Sequence, residues 1–369
     1  MRHIRTAAAG VLAGGLLAAT AFAVPASAAP ASAAPAAPLS LPAPTGPQPV
    51  GVRDFHLVDE DRADPWVPAE RRELMVSAWY PTGTPTGTLD PYASPEESAL
   101  ILRGLGVPAS VPSDALSTIT THSYVDAPVK GRRLPTVVLS PGFTMPRASL
   151  TGLAEDLASR GYLVIGIDHN YEARAITFPD GRITECAACL VEPSPEGSFV
   201  SLGRAEDVSF VLDELTGALP VDTGRILMGG HSMGGATAVP LLASDDRVRA
   251  GFDMDGTVHV QPAGHGAEKP FMLLGAPHHA PDGAYGPKWA EVMANHDGWE
   301  RWFTVEGTDH SSFTDYAPIA DQLGIPLGTT PGDRAMEITR SLVGAFADRH
   351  LRGLHSPVLN HSCGEVSRW

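Results

Sequence analysis

The sequence predicts one α/β domain, with a mainly parallel central sheet covered by helices on both faces and an antiparallel edge on its N-terminal side. Three observations support this prediction. Short, almost continuously apolar runs recur between turn residues, which is typical of strands buried on both faces. Segments with helical spacing of apolar residues alternate with these runs from about residue 135 onward. No repeat or linker interrupts residues 50–369.

The first 28 residues predict a secretory signal peptide. Arg2 and Arg5 precede a long apolar stretch, and the small residues Ala26, Ser27 and Ala28 form a cleavage pattern. A membrane anchor is the rival interpretation, but the richness of the stretch in Ala and Gly makes it weakly hydrophobic for a spanning helix. We therefore expect a secreted, extracellular protein without a stable membrane anchor after signal cleavage.

The next segment, residues 29–49, predicts a flexible Ala- and Pro-rich leader outside the fold, because no periodic apolar face is present. The domain is then expected to span residues 50–369. Three cysteines, Cys186, Cys189 and Cys363, predict one disulfide of undetermined pairing and one remaining thiol in an exported protein. The net charge of −16 argues against a nucleic-acid partner, since binding a duplex requires a basic face. The oligomeric state is left open.

Strands and helices follow in order along the chain. The predicted strands are VRDFHLV (52–58), ELMVSAWY (73–80), PTVVLS (135–140), YLVIGID (162–168), RILMGG (225–230), VRAGFDM (248–254), PFMLLG (270–275) and RWFTVEG (301–307). The first two precede the strand and helix alternation and are expected to form the antiparallel edge. The predicted helices cover residues 94–106, 147–161, 203–219, 236–243, 286–296 and 332–351.

A G-x-S-x-G pattern places Ser232 between Gly230 and Gly234. A buried strand precedes it and a helix follows, which is the strand-turn-helix context of a nucleophile elbow. Glycines relieve the close approach of strand and helix at so sharp a turn. A phosphate-binding loop is the alternative, but neither the P-loop nor the dinucleotide-binding spacing is present. We therefore predict that Ser232 is a catalytic nucleophile in an α/β-hydrolase fold.

A serine nucleophile requires a base and an orienting acid, which follow it in the order Asp or Glu, then His. His310 comes directly after the last predicted strand and is the expected base. His278 and His279 also follow a strand and are its main rivals.

The acid is expected just past the strand at residues 248–254, where Asp253 and Asp255 are the two candidates. Strand alternation lets only one of them face the histidine, and we favour Asp255 because it lies beyond the strand end. Asp309 is a poor orienter of His310, because adjacent side chains on an extended segment diverge.

Two N–H groups are expected to form an oxyanion hole. One belongs to Met233, the residue after the serine, and the other to Phe143, at the bend after the strand at residues 135–140. An ordinary strand-to-helix loop is the alternative for Phe143.

Candidates for the substrate pocket are Met145, His231 and Phe313, although apolar side chains at such positions could equally belong to the core. Asp168 and His169 are expected either at the rim of the same cleft or as a structural pair.

The sequence resembles the secreted α/β-hydrolases related to the plasma-type platelet-activating-factor acetylhydrolases and their bacterial esterase and lipase-like relatives. The motifs LSPGF, LASRGYLVIGIDH, GGHSMGG, FDMDG and GTDHSSFTDY carry the resemblance. It implies a Ser232, Asp255 and His310 triad, oxyanion donors at Phe143 and Met233, and calcium-independent ester hydrolysis. The chain departs from the family pattern at Pro141 and Thr257, so the resemblance does not extend to the substrate.

The expected function is therefore hydrolysis of a carboxylic ester, such as a short-acyl or phospholipid ester, through an acyl-enzyme. A small-molecule or lipid ester is the expected partner, and neither a metal nor an organic cofactor is expected. Two alternatives remain open at this point: an amidase or peptidase with the same triad, and a secreted binding protein that keeps the fold without catalysis.

Overall fold

The central sheet has ten strands and confirms the predicted α/β architecture. The structure is a computed structural model that describes residues 38–369, and these residues form one compact unit. The predicted signal peptide and residues 29–37 of the predicted leader lie outside the described residues.

Every predicted strand is present in this sheet. The strands, in chain order and including the separate two-stranded pair β6 and β7, are β1 (Val50–Ala63), β2 (Arg71–Pro81), β3 (Ser123–Val125), β4 (Leu134–Ser140), β5 (Leu163–His169), β6 (Ile176–Thr177), β7 (Ile183–Thr184), β8 (Val221–His231), β9 (Val248–Met254), β10 (Phe271–Gly275), β11 (Glu300–Val305) and β12 (Val366–Arg368). The spatial order of the large sheet is β12-β11-β10-β9-β8-β4-β5-β2-β1-β3.

The six central strands from β11 to β5 run parallel, and β2 pairs antiparallel to β5. β1 pairs antiparallel to β2, which confirms the predicted N-terminal edge. Because the carboxyl ends of parallel strands meet at one edge of a sheet, the loops after β4, β8, β9 and β11 converge there. The candidate site residues lie on these loops.

Helices cover the sheet on both faces. They are α1 (Pro95–Leu105), α2 (Thr151–Ser159), α3 (Gly197–Leu215), α4 (Met233–Ala236), α5 (Ala238–Ser244), α6 (Gly286–Ala294), α7 (Tyr316–Gln322) and α8 (Gly332–Arg352). α1 begins with a capping box, in which the Ser94 hydroxyl accepts from the Glu97 N–H, and it ends at Gly106 in the left-handed conformation.

Two apolar cores lie on opposite faces of the sheet. Leu227 of β8 packs in the core that includes Leu157 of α2 and Phe346 of α8. Its neighbour Met228 points the other way, into the core that includes Val211 of α3. Successive residues of a strand alternate between faces, so a continuously apolar strand feeds both cores.

The described part of the expected leader does not lie outside the fold. Leu39 and Leu41 are buried in a third apolar cluster with residues of α1 and α7. Their backbone pairs with Thr120, and the Gly46 N–H donates to the Ser159 hydroxyl at 2.9 Å. Residues 38–49 are therefore part of the domain, whose described part begins twelve residues before the expected boundary at residue 50.

Cys186 and Cys189 form a disulfide, and Cys363 is an exposed free thiol. This confirms the prediction of one disulfide and one remaining thiol. Within residues 38–369, no helix has the length and apolar character needed to cross a membrane.

Candidate active site

Ser232 sits at a strained turn between β8 and α4. Its backbone has φ 54° and ψ −123°, a region that residues with a side chain rarely occupy. A Cβ at Gly230 or at Gly234 would lie 1.9 Å from the carbonyl oxygen of Ser140 on β4. Both glycines are therefore required, because this carbonyl of the neighbouring strand occupies the space beside them.

The structure brings together Ser232, His310 and Asp255. His310 Nε2 lies 3.1 Å from Ser232 Oγ, and His310 Nδ1 lies 2.6 Å from Asp255 Oδ2. With Nδ1–H donating to the carboxylate, Nε2 of the neutral ring accepts the serine hydroxyl proton. The three side chains thus form a continuous chain of hydrogen bonds from carboxylate to hydroxyl.

Asp255 follows β9 directly and is buried. Burial raises the pKa of its carboxyl, but hydrogen bonds from His278, His279 and His310 outweigh burial and hold this pKa well below its usual range. The Ala276 N–H also donates to Oδ1 at 2.6 Å. Asp255 is therefore an anion, and each of its two carboxylate oxygens lies within hydrogen-bonding distance of two partners.

His278 and His279, the rival candidates for the base, contact the acid instead of the serine. His278 Nε2 lies 3.0 Å from Asp255 Oδ2, and His279 Nδ1 lies 3.0 Å from Asp255 Oδ1. Sequence reasoning missed this role. A signal was available in the order of the strands. Both histidines follow β10, and Asp255 follows β9. Because these two strands are neighbours and parallel, their carboxyl ends lie side by side.

Asp253, the rival acid, is buried within β9, and burial raises the pKa of its carboxyl well above its usual range. Its Oδ1 accepts from the Gly256 N–H at 2.8 Å. It has no hydrogen bond to a histidine in the described part of the chain, so it cannot orient one.

Of the two expected oxyanion donors, Phe143 lies on the loop after β4 and Met233 is the first residue of α4, which follows β8. Phe143 and Met233 are each half-buried. Neither of their N–H groups has an acceptor within residues 38–369, whereas the flanking Thr144 and Met145 N–H groups donate to Glu172 and Gly142 carbonyls. These two unpaired donors can serve an oxygen of a bound substrate.

A buried hydrogen-bond network lies beneath this loop, and it contains His169. His169 Nδ1 lies 2.7 Å from Asp207 Oδ2, and its Nε2 lies 2.9 Å from Ser140 Oγ. Burial, together with the nearby Arg204 guanidinium, lowers the pKa of His169 to about 4, so the ring is neutral. Arg204 Nη1 donates to the Pro141 carbonyl at 2.5 Å, which anchors the first residue of the oxyanion loop.

His169 and its neighbour Asp168 are therefore a buried structural pair and do not line the rim of the cleft. Asp168 forms an ion pair with Arg147. His169 is enclosed, whereas Asp168 and Arg147 line a cavity of about 350 Å³ that none of Ser232, Asp255 and His310 lines.

The three residues expected to line the substrate pocket are buried instead. Phe313 packs in the core on the α8 face, and Met145 belongs to the third cluster. His231 is fully buried, and burial lowers its pKa to about 3. As a neutral ring it donates through Nε2 to the His310 backbone carbonyl at 2.7 Å. The structure therefore makes His231 a support for the His310 loop.

One group in the described part of the chain has the composition of a metal site. The ligand atoms of Asp255, His278 and His279 all lie within 4.8 Å of one another. The Asp255 carboxylate already accepts from His310 and Ala276, so a metal bound there would compete with His310 for its partner.

Comparisons with known proteins find similarity to esterases. A family model described as PET hydrolase-like matches residues 95–276, and one described as platelet-activating factor acetylhydrolase, isoform II, matches residues 198–356. The chain is 26% identical to a probable 1-alkyl-2-acetylglycerophosphocholine esterase of Arthroderma benhamiae, over 85% of this chain and 88% of that protein.

Two further proteins complete the comparison. A platelet-activating factor acetylhydrolase of Cavia porcellus is 24% identical over 61% of this chain, and the match spans 60% of that protein. The solved structure of a ferulic acid esterase from Streptomyces cinnamoneus is 40% identical, with a TM-score of 0.82, and the match covers 90% of this chain and 99% of that chain.

Proposed function

We propose that Ser232, His310 and Asp255 are the catalytic triad of this protein. The chain belongs to the platelet-activating-factor acetylhydrolase-like serine esterases, which are carboxylic-ester hydrolases. The observation that carries this proposal is the position of the His310 ring. Its Nε2 lies 3.1 Å from Ser232 Oγ while its Nδ1 lies 2.6 Å from Asp255.

In the first half-reaction, Ser232 Oγ attacks the ester carbonyl carbon and its proton passes to His310 Nε2. The carbonyl oxygen becomes an oxyanion, which the Phe143 and Met233 N–H groups stabilise. When the intermediate collapses, the bond from the carbonyl carbon to the alcohol oxygen breaks. His310 donates its proton to that oxygen, and an acyl-enzyme remains.

In the second half-reaction, His310 takes a proton from water, and the resulting nucleophile attacks the acyl carbon. The tetrahedral intermediate releases Ser232, which recovers its proton from His310, and the carboxylic acid leaves. Asp255 keeps its negative charge throughout, because its pKa lies well below the usual range. It thereby stabilises the His310 cation that forms in each half-reaction.

The relatives' names indicate the range of substrates to test. One is a ferulic acid esterase and another a probable 1-alkyl-2-acetylglycerophosphocholine esterase. We propose that this chain cleaves an ester of a small or lipid-like molecule. We further propose that it is secreted after removal of residues 1–28, which N-terminal sequencing of the protein from culture medium would test by a start at Ala29.

A fluorophosphonate probe tests the triad. We expect the purified protein to gain one covalent adduct on Ser232, located by peptide mass spectrometry, and to lose ester hydrolysis in proportion to labelling. The variant Ser232→Ala is the matched control and is expected to remain unlabelled. Labelling of any other serine with retained activity would refute the proposed nucleophile.

A further inference from the structure

An apolar groove of about 200 Å³ lies beside the loop that carries His310. One wall consists of the end of α1 and the residues that follow it, and the other consists of α7 and the segment after it. No charged side chain contributes to its lining. The lining is mainly aliphatic and includes Leu102, Leu105, Leu116, Ile319, Ala320 and Leu327.

The groove lies against the loop that carries His310. Ser311, the residue after His310, forms part of the lining. The Ser312 hydroxyl donates to the Leu327 carbonyl at 3.4 Å, which ties the far wall to the same loop. Met145, two residues after Phe143, packs in one cluster with groove residues of both walls. A molecule in the groove would therefore lie beside the residue that follows His310.

The lining restricts the chemistry of what can bind. Leu105 is 40% exposed, so apolar surface faces water when the groove is empty. Covering such surface with an apolar group is favourable in proportion to the area buried. A charged or strongly polar group would lose its hydration there without gaining a charged partner. The groove thus favours an alkyl or aryl group.

The proposed mechanism decides which part of the ester this group belongs to. His310 Nε2 must come within hydrogen-bonding distance of the leaving oxygen to protonate it. The alcohol portion of the substrate therefore lies on the His310 side of Ser232, whereas the carbonyl oxygen lies towards Phe143 and Met233. The lining includes Ser311, the residue after His310, and no residue of the segments that carry Phe143 and Ser232, so the groove lies on the His310 side.

We propose that this groove binds the apolar portion of the alcohol that leaves from the ester, so that the protein selects esters of hydrophobic alcohols. The proposal rests on the proposed triad. It assigns this selectivity to residues 102–116 and 316–327, which are outside the strands and loops that carry the triad.

Two series of substrates test the proposal on the full secreted protein. The first series keeps the acetyl group and lengthens a linear alcohol from methyl to pentyl, and the second keeps methanol and lengthens the acyl chain over the same range. Acid release is followed by pH-stat titration below the solubility limit of each ester. We expect kcat/KM to rise about fourfold per methylene in the alcohol series, the gain for burying one CH₂, and to change less in the acyl series.

Two variants connect the effect to the groove. Ala320→Trp fills it from a half-buried position, and Leu105→Asp introduces a charge at a half-exposed one. We expect either change to lower kcat/KM for pentyl acetate at least tenfold and to leave methyl acetate within twofold. Ala294→Trp, a matched substitution at an exposed alanine of α6 outside the groove, is the control and is expected to leave both substrates unaffected.

Three results would overturn the proposal: a flat alcohol series, a rise confined to the acyl series, and variants that keep the wild-type preference for pentyl acetate. If the protein in such a case still hydrolyses methyl acetate and Ser232 is still labelled, the proposed triad stands and only the role of the groove is refuted. Loss of all ester hydrolysis together with the absence of labelling would instead refute the proposed function itself.

Discussion

His231 donates a hydrogen bond through Nε2 to the backbone carbonyl of His310 at 2.7 Å. His231 directly precedes Ser232, and His310 is the residue whose ring contacts Ser232. The hydrogen bond therefore links the Ser232 turn to the His310 loop. The two rings lie 4.6 Å apart between centroids. The position of the proposed base is therefore set from the same strand end as the proposed nucleophile.

We predict that His231→Leu, which removes the donor, lowers kcat about three- to tenfold with little change in KM, the effect of losing one buried hydrogen bond of about 1 kcal/mol. His296→Leu is a matched control, because His296 also donates through Nε2 to a backbone carbonyl, that of Lys269, at 2.7 Å and away from the site. Steady-state kinetics on both variants checks the prediction. Equal losses in the two variants would mean that the His231 bond is only structural.

Ser232→Ala and His310→Ala are each expected to reduce kcat by about 10⁴-fold or more, because either change removes the transfer of the proton from nucleophile to base. The double variant should be little worse than either single variant, since the two residues act as a unit. Single-turnover rates with p-nitrophenyl acetate provide the measurement. Multiplicative losses in the double variant would contradict a shared catalytic step.

Asp255→Asn is expected to lower kcat by roughly 10³- to 10⁴-fold, because an amide cannot stabilise the His310 cation or hold the ring in the productive tautomer. Asp253→Asn is the matched control at a buried aspartate two residues earlier, within β9. Its carboxyl has a raised pKa and no histidine partner in the described chain, so a neutral amide should keep most of the activity. Comparable damage from both substitutions would leave the acid unassigned.

Acid is expected to destabilise the fold through the buried histidines. The pKa of His169 is about 4 because of burial and the nearby Arg204, against about 6.5 in an unfolded chain. Between these values the unfolded chain binds a proton that the folded chain does not, so stability is fully present above pH 6.5 and is lost as pH falls towards 4. His231, whose pKa is lowered to about 3, acts with the same sign.

We therefore predict that the Tm falls as pH is lowered through this window and that it falls less steeply in His169→Gln. Differential scanning calorimetry between pH 7 and 4 measures the slope of Tm against pH for each protein. The slopes are compared, and not the absolute Tm values, because His169→Gln also loses buried contacts. His265→Gln, at an exposed position, is the control and should keep the wild-type slope. An unchanged slope in His169→Gln would contradict this account.

The sequence predicted the central sheet, and it singled out the three side chains that the structure brings together, because both leave local signals. Continuous apolar runs mark strands such as β4 and β8, and position after the last predicted strand separates His310 from His278 and His279. β12 and α7 were missed, and the three residues of β12 are too few to show a period.

Other features depended on contacts that no local pattern encodes. Leu39 and Leu41 dock as isolated apolar side chains in a Pro-rich segment that otherwise resembles a linker. His231 occupies the first variable position of G-x-S-x-G, and the motif does not say which side of the strand end its ring faces. The tertiary packing around His310 decides that the ring turns inward.

The Ser140 carbonyl that stands between Gly230 and Gly234 belongs to the peptide whose other half is the nitrogen of Pro141, the first residue of the oxyanion loop. One peptide group thus contacts the turn that carries the attacking oxygen and also begins the loop that carries an oxyanion donor. A displacement of that peptide group would carry both partners in the same direction. Their mutual alignment can therefore survive small shifts of β4, whereas a side chain at either glycine would separate them.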